Sequence, residues 1–130
     1  MTTFSVTFPS AVMVPGYGVI DDVEPVRGAH DACIKPVLRQ GEKNRVLSLE
    51  ELKMRAIEER GDLGIRDLNF IMQTSVLPED GLVYIFPGTI LERDGEVFVP
   101  YTYFDSVGLT RGFRNLKEGF TQHDRFFCLC

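Results

Sequence analysis

Tryptophan is missing from this chain, and its 130 residues include only two histidines and three cysteines. Three is an odd count, so a disulfide-stapled secreted domain is not expected; a reducing, cytoplasmic setting fits the cysteine usage better. No charged start leads into an apolar run, so no secretory leader is expected. No Asn-x-Ser/Thr sequon occurs, and no apolar stretch approaches the length of a membrane span. The Gly-x-x-x-x-Gly-Lys-Ser/Thr phosphate loop is absent. Gly16-Tyr17-Gly18 falls short of a dinucleotide fingerprint, because Asp21 and Asp22 stand where a third glycine and a pyrophosphate would be needed.

Net charge is −5, which argues against nucleic acid as a partner. The charge is uneven, however. From Arg27 to Arg45 five bases face two acids, and from Arg111 to Arg125 four bases face two acids. Both stretches read as solvated faces. So does the acidic group Asp21, Asp22 and Glu24, which offers too few oxygens for calcium.

What is present describes an α+β domain spanning 1–130, long enough to bury a core without staples. Thr3 to Phe8 alternates apolar and hydroxyl residues, as a half-buried strand does. A short strand over Ala11 to Val14 and a continuation at Val19-Ile20 follow around the Pro15–Gly18 turn. Residues 27–46 show no period and read as a loop with at most one helical turn.

The clearest element begins at Ser48. Glu51 completes a capping box, Leu47 and Leu52 are spaced as a hydrophobic staple, and Gly61 is placed to stop the helix. A helix over 49–60 is expected, then a second over 65–74, with the short Asp62–Gly64 link making the pair neighbours. Strands are expected within 82–104, with a two-residue hairpin turn at Asp94-Gly95. Pro100 cannot donate a ladder bond, so it marks this strand as an edge or a bulge. Residues 106–124 read as loop, and Arg125 to Cys130 as a closing strand with Phe126, Cys128 and Cys130 on one face and Phe127 and Leu129 on the other. The sheet is expected to be largely antiparallel.

Four residues form a candidate zinc set: His30, Cys33, Cys128 and Cys130. Cys128 and Cys130 share a strand face, while His30 and Cys33 would share a face on a helix-like turn. The alternative is that the terminal cysteines are small buried hydrophobes. Cys-x-Cys at the end is similar to the double-prenylation signal of Rab-type small GTPases, but the phosphate loop of that family is lacking. A Caax box would need cysteine where Phe127 stands. A thiol enzyme could be drawn only from Cys33 with His30 or His123, and no third orienting group is evident. No catalytic residue is therefore assigned.

Ten phenylalanines and four tyrosines, with arginine outnumbering lysine ten to four, match the types enriched at protein interfaces. The expected function is thus non-enzymatic, with a protein partner or a second copy and with neither nucleic acid nor membrane. Its expected surface is Pro100, Tyr101, Tyr103 and Phe104 with Arg111 and Arg114. A subunit, regulator or inhibitor of this kind suits a viral or phage component, working in the host-cell cytoplasm.

Overall fold

The computed structural model describes residues 2–6, 14–26, 28–74, 77 and 80–130, with side chains left out for 2–6 and 28–30. The side-chain alternation of Thr3 to Phe8 and the strand at 11–14 therefore fall wholly or largely outside the described residues.

Helix α1 runs Leu49–Glu58, and the Ser48 hydroxyl accepts the Glu51 N–H (3.1 Å). The staple residues Leu47 and Leu52 are both buried in one core. The helix ends in a Schellman motif: Gly61 N–H donates to the Ala56 carbonyl (2.7 Å) and Arg60 N–H to that of Ile57 (3.1 Å). The left-handed residue is Arg60 (φ 56°) and not the glycine. Gly61 has a different reason to be glycine, because a Cβ there would lie 2.8 Å from Phe126 Cβ and 2.9 Å from Cys128 Sγ. Helix α2 runs Ile65–Thr74.

The described strands are β1 (Thr2–Val6), β2 (Gly18–Asp21), β3 (Gly28–Pro36), β4 (Val83–Ile85), β5 (Ile90–Arg93), β6 (Glu96–Asp105), β7 (Gly108–Asn115) and β8 (Asp124–Leu129). They form one sheet in the order β1-β3-β8-β4-β6-β5-β2, with β7 also on β6. Every pairing is antiparallel except β4 with β8. The α+β architecture is therefore as expected, including the Asp94-Gly95 hairpin, both of whose residues take positive φ and which sets Arg93 opposite Glu96.

Three expectations are corrected. Residues 28–36 form a nine-residue strand, and residues 108–115 form another. The helices are also not packed side by side. Leu52 and Ala56 of α1 join Ile85, Val99, Phe126 and Cys128, whereas Leu68 and Ile71 of α2 join Tyr84, Phe86 and Phe127. These are alternate positions of the same strands, so α1 and α2 cover opposite faces.

Strand β8 lies between β3 and β4 and is apolar on both sides, as a doubly covered strand must be. Between β4 and β5, Pro87-Gly88 breaks what would otherwise be one strand running beside β6. The α1–α2 link presses into that break. Gly88 N–H donates to the Leu63 carbonyl (2.8 Å), and a Cβ on Gly88 would collide with the Asp62 and Leu63 backbone.

Candidate functional site

The β3–β8 ladder sets Cys33 directly opposite Cys128. The bond that forms, however, joins Cys33 to Cys130, with Cα atoms 5.2 Å apart and a sequence separation of 97. Cys130 is further held by its N–H to the Asp31 carbonyl (3.1 Å) and by Arg60 Nη1 donating to its own carbonyl (3.2 Å). Closing a loop of this length removes on the order of 4–5 kcal/mol of unfolded-chain entropy.

Cys128 remains a buried thiol beside the Phe126 carbonyl (3.5 Å), and burial pushes its pKa up to about 12. Buried and reluctant to ionise, this thiol packs as a small hydrophobe.

The disulfide occupies two of the four residues in the candidate zinc set. The helix-like turn joining His30 to Cys33 is instead continuous strand, and the side chain of His30 is outside the described residues. Among the described residues no cluster of three or more His, Cys, Asp or Glu side chains is placed to hold a metal. Cys33 offers no free thiol for catalysis. His123 sits five positions before Cys128, Cys33's partner in the ladder, which is roughly 17 Å along a strand.

The expected interaction surface divides between two faces of the sheet. Tyr101, Tyr103 and Arg114 lie on the α1 side, and Pro100, Phe104 and Arg111 on the α2 side. The rings of Tyr101 and Tyr103 stack at 6.3 Å. Gly112 opposite Tyr101 leaves room for the tyrosine ring to lie over it, since a Cβ there would come 2.4 Å from Tyr101 Oη and the ring would have to move. Arg114 is engaged internally: it pairs with buried Asp124 (2.6 Å), and its guanidinium lies 5.5 Å from the Tyr101 ring and 5.6 Å from that of Phe120. Arg111 is exposed, donates to Asn69 Oδ1 (2.6 Å) and covers Phe113 at 5.7 Å.

Pro100 does not mark an edge. Strand β6 has β7 along one side and β4 and β5 along the other. Phe86 N–H donates to the Pro100 carbonyl (3.0 Å), so the backbone groups of Pro100 face β4, and its missing donor falls at the Pro87-Gly88 break. The Pro100–Phe113 pair is then a non-hydrogen-bonded one across β6–β7. By alternation, Leu109, Arg111 and Phe113 turn their N–H and C=O groups outward. On this side of β6 the edge is thus β7, and among the described residues no strand pairs with its outer side; β1 and β2 end the strand order elsewhere.

Two ionic clusters escaped the sequence reading. In the first, buried Arg55 meets Glu42 through Nη1–Oε1 (2.6 Å) and Nη2–Oε2 (3.0 Å) and also donates to the Val37 carbonyl (3.1 Å). Hydrogen bonds from Arg55, the Arg39 amide and Arg45 hold the Glu42 carboxyl well below the usual range.

The second cluster lies by the β4–β5 break. Asp22 accepts the Thr89 hydroxyl (2.6 Å) and Arg66 Nη2 (3.2 Å), so it is not simply solvated. Asp67 accepts the amides of Val26 (3.1 Å) and Gly64, but its Oδ2 is buried without a partner. Burial raises its pKa to about 6.

No family model matches this chain, and none of the curated proteins or solved structures compared with it is similar.

Proposed function

We propose that this is a non-enzymatic protein-binding domain that takes an extended, acidic segment of another protein as an added strand beside β7. The observation that carries the reading is the open side of β7, an eight-residue strand without proline whose outward amides belong to Leu109, Arg111 and Phe113. Such an edge supplies affinity through main-chain hydrogen bonds. Chemistry on the strand favours an acidic guest: Arg111 is exposed, and within 108–115 there is no acid. The half-exposed Tyr101–Tyr103 pair adds amphipathic aromatic area on one side. A subunit or regulator would use such an edge, and the Cys33–Cys130 disulfide supports a non-reducing setting for it rather than the cytoplasm.

Peptides selected by display against the intact protein test this. Acid-rich extended sequences should be recovered, and Arg111→Pro should weaken them at least tenfold, because it deletes an outward N–H and leaves the β6 ladder intact. Arg111→Ala should cost less. Selected peptides that bind Arg111→Pro as well as the native chain would remove β7 as the site, and so would light scattering that shows this edge closed in a stable dimer.

A further inference from the structure

The two basic stretches of the sequence come together in space. Val37 N–H donates to the Asp124 carbonyl (3.3 Å), and Arg45 and Phe120 exchange backbone hydrogen bonds (3.0 and 2.8 Å). Between the two segments lies an open cleft of about 290 Å³, walled by Pro36, Leu38, Arg39 and Gln40 on one side and Gln122 and Arg125 on the other. It shares no residue with the β7 edge.

Its electrostatics are one-sided. Arg125 has no carboxylate partner among the described residues; its Nη1 donates only to the carbonyls of Gln122 and Asp124 (the latter at 2.9 Å). Those bonds pin the guanidinium to the cleft wall and leave its other N–H groups uncommitted. Arg39 enters from the opposite wall, tied only to Glu58 in a solvent-exposed ion pair (3.1 Å), a bond worth little in water. Glu42 is the acid in the lining, and it is fully engaged. Its Oε1 accepts Arg39 N–H (2.5 Å) and Arg55 Nη1 (2.6 Å), and its Oε2 accepts Arg45 Nη1 (2.5 Å) and Arg55 Nη2 (3.0 Å). With two guanidinium groups on it, Glu42 does not repel an arriving anion.

We propose that this cleft binds a small anionic ligand, its carboxylate or phosphate head between Arg39 and Arg125 and a short apolar body against Pro36 and Leu38. Planar guanidinium forks suit either head, and about 290 Å³ leaves room beside it for a short apolar body.

Amide chemical shifts of the intact, oxidised protein, titrated separately with inorganic phosphate, acetate and hexanoate, provide the test. Shifts should saturate at Gly41 and Gln122 with a dissociation constant of about 1 mM or below. Arg39→Gln, which removes only an exposed ion pair with Glu58, should weaken binding about fivefold or more, and Arg125→Gln should do the same. Saturation by phosphate alone assigns the phosphate head. Saturation by hexanoate well ahead of acetate assigns the carboxylate with its apolar body. Shifts that stay linear with concentration, or that survive both substitutions, overturn the site.

Discussion

Arg55 on α1 and Asp67 on α2 are both buried and both meet the chain through a loop, yet their surroundings drive them in opposite directions. Arg55 reaches a carboxylate whose four acceptor positions are all filled, and that carboxylate stays charged far into acid. Asp67 takes the Val26 amide on Oδ1 while Oδ2 is buried without a hydrogen-bond partner, and desolvation lifts its pKa to about 6. Burial is common to both. Completeness of the hydrogen-bond shell separates a cluster that stabilises the fold from one that opposes it near neutral pH.

Breaking the complete cluster should have the largest effect. Arg55→Met leaves Glu42 without its main partner and the Val37 carbonyl without a donor, and should cost about 3 kcal/mol in urea unfolding at neutral pH. The depressed Glu42 pKa sets the sign in acid. Its contribution is complete above the ordinary glutamate value of 4.5 and disappears as pH falls toward the lower folded value, so the native chain should lose stability there and Arg55→Met should lose less.

Asp67 should behave in the reverse sense. Its folded pKa is raised above the ordinary 3.8, so the native state holds more protons between about pH 4 and 6, and stability falls as pH rises through that window. Asp67→Asn keeps an acceptor for Val26 and removes the charge. It should gain about 2 kcal/mol at pH 8 and nothing near pH 4, measured by unfolding at both pH values. A loss at pH 8 would mean that Asp67 has a second partner and that the contrast with Arg55 is false.

The smallest effect tests the edge of the Asp67 cluster. Thr89 donates to Asp22 and accepts Ile65 N–H (2.8 Å). Thr89→Val should therefore cost about 1 kcal/mol, seen as a small drop in Tm.

Local signals carried well from sequence to structure. Ser48, Leu47 and Leu52 mark the start of α1, Asp94-Gly95 makes its hairpin, and the two-faced apolarity of Phe126 to Leu129 places β8 inside the sheet. Strands β3 and β7 did not, because their sequences, GAHDACIKP and GLTRGFRN, place small and charged residues where alternation would be sought. Their strand character comes from the neighbours they pair with. Missing β7 also misplaced the edge, since Pro100 signals a missing donor but not the side on which it is missing. The disulfide was hidden by parity: an odd cysteine count is compatible with one bond and one buried thiol, and since the β3–β8 register sets Cys33 opposite Cys128, only the placement of the side chains shows that Cys130 takes the bond.

That bond also makes a closed covalent ring of residues 33–130, which contains every described element except β1, β2 and the first part of β3. A single cut inside the ring, for instance at Val107, whose side chain stands 94% exposed at the β6–β7 turn, severs the backbone without releasing either piece. The nicked molecule remains one particle of unchanged mass apart from the added water, and its fragments separate only when a reductant opens the bridge.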